Sequence, residues 1–386
     1  MPLKTTAGDH GQQVKGRGAT INIEGRFEVW NRESSDDGWF QDPGDEPARV
    51  KTVVSIEHAK SVISRHNSPD VGFAQSINPY RGCAHGCTFC FARPSHAYLG
   101  LSPGLDFETR LFAKSNAPEL LRAELAKKSY HCEPIMLGAN TDAYQPIERE
   151  RRLTRQVIEI LHEARHPLII VTKSALVERD LDLLAPMAAD GLAHVCVSIN
   201  SLDEDLKRKL EPRAAGPKRR VQTIRAVASA GIPVTALVAP VIPQLNDCHL
   251  EAVLEASAGA GAVSAAYVVL RLPYELKELF RDWLEQHYPL RAAHVMSIVH
   301  QMRGGRDNDP RWGVRMTGEG VFARLIRERF DKACARLGLN LRDYQLRTDL
   351  FVPPRSPVAS GTGRAAANPT ATSAPTSAPA QLGLFD

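Results

Sequence analysis

The chain of 386 residues is 43% hydrophobic and 24% charged, with a formal net charge of +4. That is the balance of a globular protein with room for two domains, or for one large α/β domain with extensions. No window approaches the ~18 consecutive apolar residues of a membrane span, and the charge excess is too small to argue for nucleic acid by itself.

In chain order, residues 1–70 are rich in Gly, charge and polar groups, with NRESSDDGWFQDPGDEP least like a packed element. They read as a loosely ordered N-terminal arm. The first residues lack the apolar run of a secretory leader. Seven cysteines, three of them crowded together, do not read as a disulfide framework, so a cytoplasmic setting is expected. A βα rhythm then begins with FAQSINPY (73–80) as the first strand. PIMLGAN (134–140), LIIVT (168–172), AHVCVSI (193–199), PVTALVAP (233–240) and SAAYVVL (264–270) follow, each start roughly 25 to 40 residues after the last.

Helical signals lie between these strands. Asn116 is placed to cap a helix with Pro118 and Glu119 in its first turn, and segment 150–165 puts Leu153, Val157, Ile160 and Leu161 on one face. Asn246 or Asp247 is placed to cap a helix holding Leu250, Val253 and Leu254, and Gly191 and Gly231 stand where helices should stop. Six βα units with apolar strands predict an α/β fold whose parallel sheet is covered on its outer face, either open and doubly wound or an incomplete (β/α)6 TIM-like barrel. The expected organisation is a core over 71–300, a helical extension over 301–350 and a disordered tail over 351–386. Two basic clusters, one within 301–347 and one from Lys207 to Arg220, read as solvated helix faces.

The densest chemistry is INPYRGCAHGCTFCFARPSH, where Cys83, Cys87 and Cys90 are spaced C-x3-C-x2-C. A tetrahedral zinc site needs four ligands, which His85 or His96 would have to complete. The alternative is a [4Fe-4S] cluster on three thiolates, with one iron left open to a cosubstrate. If the strands form a barrel, binding groups gather at their C-terminal ends. Asn140, Thr141 and Asp142 follow the second strand, Lys173 and Ser174 the third, Ser198 and Asn200 end the fourth, and Arg271 follows the last. Polar turns end strands in any case, which is the competing explanation for each. Arg213, in KLEPRAAG, offers a planar fork for a carboxylate or phosphate, or else an ion pair with Glu211.

The cysteine spacing, with Phe89 just before the last cysteine and βα units after it, resembles the radical S-adenosylmethionine (SAM) superfamily. The runs INPYRGCAHGCTFCFARPSHAYLGL, GANTDAYQPIER and LIIVTKSALVERDLDLL are similar to its spore photoproduct lyase-like branch. The resemblance implies that Cys83, Cys87 and Cys90 hold a [4Fe-4S] cluster whose open iron chelates SAM. One electron from an external donor then yields a 5′-deoxyadenosyl radical that takes hydrogen from the substrate. It also implies that Phe89 packs beside the adenine, while Lys173, by its place at a strand end and its fixed ammonium, is expected to bind the SAM carboxylate. Lyases of this branch use a cysteine near the end of the second strand as hydrogen donor. This chain has Asn140 in that stretch, so lyase activity itself is not expected. Tyr98, Tyr144 and Cys196 are the alternative hydrogen donors.

The tail ends in Gln381-Leu382-Gly383-Leu384-Phe385, similar to peptides that dock on the bacterial DNA sliding clamp, with Gln381, Leu382, Leu384 and Phe385 as contacts. A flexible linker of about 28 residues would reach roughly 30 Å. Three functions are therefore expected to compete: radical chemistry on DNA, radical modification of RNA, protein or a small molecule, and a non-catalytic metal-stabilised DNA-binding module.

Overall fold

A computed structural model describes residues 16–19, 21–28 and 50–354. Among these, ten strands occur: β1 (Val53–Glu57), β2 (Ile63–Arg65), β3 (Gln75–Ile77), β4 (Tyr80–Arg81), β5 (Arg110–Lys114), β6 (Ile135–Leu137), β7 (Leu168–Thr172), β8 (Ala193–Ser198), β9 (Val234–Val241) and β10 (Ser264–Val269). Strands β3, β6, β7, β8, β9 and β10 lie side by side in that order, all parallel, with β2 antiparallel on the edge beside β3. Among the described residues β10 pairs only with β9, so the sheet stays unclosed and the α/β fold is a partial barrel. Strands β1, β5 and β4 form a separate small sheet.

Register explains why the sheet has two unlike faces. Ile77, Leu137, Ile170, Val195 and Val234 are successive register partners across five strands, and all are buried. They pack under helices Ala117–Leu125, Leu153–Glu163, Pro217–Ser229 and Leu250–Gly259 in one continuous core, each side chain contributing about 1.5–3 kcal/mol. Their neighbours along each strand point the other way. Ile169 and Val171 of β7, Cys196 of β8, and Thr235, Leu237 and Ala239 of β9 are only half-buried, so the inner face is an accessible concavity. A one-residue slip would exchange the faces.

The six parallel strands agree with the expected units, and Gly191 and Gly231 do end helices with φ of 73° and 78°. Three details differ. Asn116 precedes helix Ala117–Leu125 but does not cap it; its amide exchanges two 2.9 Å hydrogen bonds with the backbone of Ala59. Asn246 likewise turns from its helix, donating to the carbonyls of Asn200 and Pro240 and accepting from the Ile242 N–H. The core boundary expected at residue 300 falls inside helix Pro289–Met302.

Within the arm expected over 1–70, β1 and β2 are regular strands, and charged residues tie the described parts to the core. Arg17 donates to Glu108 O at 3.1 Å and, within the arm, to Val50 O and Thr52 Oγ1, and Asp70 pairs with Arg315 at 2.5 Å. At the other terminus, helix Gly320–Leu337 is followed by a segment that runs beneath the N-terminal ends of the strands. Asn340 caps β10 through Ala265, Arg347 N donates to Gly191 O, and Val352 N donates to Ala164 O. Residues 351–354 are thus anchored, and the rest of the expected tail, with Gln381, Leu382, Leu384 and Phe385, lies outside the described residues.

Candidate functional site

The cysteine loop leaves the small sheet directly after β4. Gly82 turns it at φ 72°, and Cys83 N donates to Phe107 O at 2.9 Å. The Gln145 side chain clamps the loop from the β6 side, accepting from Ala84 N and donating to Gly82 O. Gly86 is required: at φ 69° an added Cβ would lie 2.6 Å from Glu108 Oε2. Arg93 donates through Nε to Cys87 O at 2.8 Å and pairs with Glu108, and both side chains are fully buried. Glu108 also accepts from the backbone N–H groups of Gly18 and Ala19, so the residue 16–19 stretch lies against the loop. Cys83 and Cys87 are buried, Cys90 is half-buried, and all three are free thiols.

A second buried pair joins this loop to the barrel. His85 Nδ1 lies 3.3 Å from Asp142 Oδ2, and Asp142 also accepts from Lys173 N, Thr172 Oγ1 and Tyr144 N. Burial alone would raise the Asp142 carboxyl, but His85 and these donors hold it at about 2. Burial likewise opposes charge on His85, yet Asp142 and Cys83 raise it to about 9. Near neutral pH the two form an imidazolium–carboxylate pair. Asp142, expected to bind cofactor, is turned instead toward protein groups and holds the ends of β6 and β7 to the cysteine loop.

Beside the cysteines are polar groups that the fold leaves unspent. The Lys173 ammonium sits 5.9 Å from the centroid of the buried Phe89 ring. Burial lowers its pKa, but Cys87 and Glu211 outweigh this and keep it raised. Glu211 is fully buried and paired with Arg220, yet its Oε1 has no partner. Asn140 Oδ1, Asn200 Nδ2 and Thr88 Oγ1 are also buried without hydrogen-bond partners. Buried polar atoms are normally satisfied, so these need a ligand or water to complete them.

Other expected site residues are committed elsewhere. Ser174 caps helix Ala175–Asp180 by accepting from Leu176 N. Thr141 Oγ1 donates to Tyr80 O, and Ser198 Oγ makes a 3.4 Å contact to Ala239 O. Arg213 is exposed and reaches Thr52 Oγ1 at 3.5 Å, while Glu211 pairs with Arg220 rather than with it, because helix Pro217–Ser229 turns Arg220 inward. Tyr144 is buried and donates to Asp180. Tyr98 is 56% exposed. Cys196 lies mid-strand on the concave face beside Thr235, and burial pushes its thiol up to about 12. Sequence reasoning missed Arg93, Glu108, Gln145 and Arg220; Glu211 stood in view, but only as a partner for Arg213.

The donor set distinguishes the two metal readings. Among the described residues, no three His, Cys, Asp or Glu side chains converge as ligands of one ion. The histidines that would complete zinc are engaged, His85 with Asp142 and His96 with Arg110 O at 2.9 Å. Three thiolates of a cubane cluster each take a different iron and need not converge. Lys173 and Glu211 act electrostatically on Cys87, and Asn140 and Asn200 keep unpartnered atoms just past the C-terminal ends of β6 and β8, so the residues fit a cluster carrying a zwitterionic cosubstrate.

Comparison with known proteins agrees. Residues 77–256 match the model of the Radical SAM superfamily. An uncharacterized protein of Mycobacterium tuberculosis is 39% identical over 225 residues, covering 58% of this chain and 66% of that protein, just under two thirds of its length. An uncharacterized protein of Methanocaldococcus jannaschii is 29% identical over 237 residues, covering 61% of this chain and 84% of that protein. Among solved structures, a serine-for-cysteine mutant of spore photoproduct lyase superposes with TM-score 0.54 at 16% identity, over 80% of this chain and 88% of that one. The lyase complexed with dinucleoside spore photoproduct gives 0.53 at 17% identity, over 74% and 80%. At such identity the likeness speaks for the fold alone. The superfamily match runs from the last residue of β3 through the cysteine loop to β9 and beyond, so residues 77–256 form a radical SAM superfamily domain.

Proposed function

We propose that this chain is a radical SAM enzyme acting on nucleic acid, by a reaction other than that of spore photoproduct lyase. The observation that carries the reading is the three-cysteine loop with Lys173 and Glu211 acting on Cys87, together with the unpartnered buried atoms of Asn140 and Asn200 at the strand ends. When bound, the [4Fe-4S] cluster and SAM would supply reductive cleavage of the sulfonium and a 5′-deoxyadenosyl radical.

The chain's own residues have separable tasks. Cys83, Cys87 and Cys90 hold the cluster, and Arg93, Glu108 and Gln145 fix their loop. Lys173 binds the cosubstrate carboxylate by a charge-assisted hydrogen bond. Glu211 and Asn140 accept from its amino group, and Phe89 packs beside its adenine. The concave face, with Ile169, Val171, Leu237 and Val268 half-buried, gives the substrate an apolar wall that excludes water. Cys196, on that face, is the nearest fit to a hydrogen donor.

Nucleic acid as substrate is supported by the structural neighbours, one solved with a dinucleoside photoproduct. Asn140, in the stretch where that branch carries its cysteine, argues for a different outcome. The C-terminal QLGLF would dock the enzyme on a bacterial sliding clamp, and an external donor would supply the electron.

The test is anaerobic reconstitution with iron and sulfide, reduction with dithionite, and measurement of 5′-deoxyadenosine from SAM with and without DNA. Cleavage that rises with DNA is expected. Stoichiometric zinc with no cleavage would sink the radical reading. Cleavage indifferent to DNA would move the substrate to RNA, protein or a small molecule. Loss of clamp binding on removing the last six residues tests the tail.

A further inference from the structure

The two phenylalanines that flank Cys90 lie beside different cations. Phe89 lies near Lys173, at 5.9 Å, and Phe91 lies under the Arg271 guanidinium at 5.5 Å. Lys173 follows the third parallel strand, and Arg271 follows the last, two residues past β10.

Arg271 is unlike its basic neighbours. Arg315 pairs with Asp70 and bonds Ser68. Arg303 donates to the carbonyls of Leu270, Val314 and Arg315. Among the described residues Arg271 is hydrogen-bonded to no carboxylate and no carbonyl: its Nε is buried without a partner, and Nη1 makes a 3.6 Å approach to Met316 Sδ. Burial, then Arg315, depresses its pKa to about 10 against a smaller opposing pull from Asp70, so it stays charged at neutral pH while that carboxylate is paired with Arg315. A guanidinium with most of its donors unspent is built for an oxyanion.

The same two chain segments also build an aromatic platform. Tyr274, three residues after Arg271, and Tyr98, seven after Phe91, are 55% and 56% exposed, and Phe27 joins them at 53%. Phe27 and Tyr98 stand 4.9 Å apart by ring centroid. Arg26 sits among the three rings, 4.1 Å from Tyr274, 4.8 Å from Phe27 and 5.1 Å from Tyr98. Tyr274 is held exposed at φ 50°, a left-handed backbone that a tyrosine rarely adopts. Three residues span at most about 11 Å, so the backbones that carry the cation and the Tyr274 ring lie within that distance.

Resting on the nucleic-acid reading above, we infer that Arg271 and the Phe27/Tyr98/Tyr274 rings form a subsite for single-stranded nucleic acid, with a backbone phosphate on Arg271 and bases stacked on the rings. Such stacking accepts any base and needs it out of the duplex. Lys173 is left to the cosubstrate, so the reacting nucleotide would lie between the two cations.

Full-length reconstituted protein is titrated anaerobically into a fluorescein-labelled dT12 strand, its duplex, and polyglutamate, across a salt series. The single strand should bind more tightly than the duplex, and polyglutamate should compete poorly. Arg271→Ala should weaken binding about tenfold and lower the slope of log K against log salt by about one. Tyr274→Gly keeps the backbone free to adopt positive φ and should cost about 5- to 100-fold. Because Tyr274 is exposed, it decides the matter even if Arg271→Ala does not fold. Wild-type affinity in both variants, or equal affinity for strand and duplex, overturns the subsite. Polyglutamate binding as well as dT12 overturns the phosphate assignment. No oligonucleotide binding by the wild type overturns the subsite and the nucleic-acid substrate together, while 5′-deoxyadenosine formation separately reports whether the radical reading stands.

Discussion

The two ends of the partial barrel are built from similar residues and differ in what is left over. At the N-terminal end, polar groups satisfy one another. Tyr130 OH bonds Gln75 and His166, His194 Nε2 bonds Thr235, Thr235 bonds Ser264, and the 340–352 segment closes the base. At the C-terminal end, Asn140, Asn200, Glu211 and Arg271 each keep a buried atom without a partner. An unpaired buried polar atom costs about 1–3 kcal/mol, so a fold that closes one end and not the other has left the second end for a ligand.

That contrast can be broken by substitution. Cys87→Ala should abolish cluster assembly and 5′-deoxyadenosine formation, read as iron content and product, while leaving the base of the barrel folded. Glu108→Ala strips the counter-charge from Arg93, fully buried beneath the cysteine loop, and should destabilise the chain by about 3–5 kcal/mol in denaturant titration. Lys173→Met should weaken SAM binding by roughly 10- to 100-fold, the worth of one charge-assisted hydrogen bond, without lowering the melting temperature.

The closed end should respond to pH. Burial depresses His194 to about 4, against about 6.5 in the unfolded chain. Below pH 6.5 the unfolded state takes up a proton that the folded state refuses, so stability is full above that pH and falls as the pH drops toward 4. The loss from this residue should be about 2 kcal/mol by pH 5, and His194→Gln should flatten that part of the pH–stability curve. Smallest of all, Arg213→Ala should change stability by no more than about 0.5 kcal/mol and leave SAM affinity unaltered, since its side chain is exposed.

The strands were legible because apolar runs bounded by turn residues are local signals, and LIIVT coincides with β7. The cysteine loop was legible for the same reason: its C-x3-C-x2-C spacing lies within eight residues. What holds that loop was not. Glu108 meets Gly18 and Ala19 from about ninety positions away, and Gln145 reaches Ala84 across sixty-one. Asn116 and Asn246 show how a local cap signal loses to a tertiary partner, since each spends its amide on a distant or turn backbone. Arg213 and Arg220 lie seven positions apart in one basic run; only the entry angle of helix Pro217–Ser229 decides which of them meets Glu211.

The most direct test of the open end is electron paramagnetic resonance of the anaerobically reconstituted, dithionite-reduced protein, recorded with and without SAM. A reduced [4Fe-4S] signal whose shape changes when SAM is added, and changes less in Lys173→Met, is the expected result. A signal indifferent to SAM, or no cluster signal beside stoichiometric zinc, would contradict it.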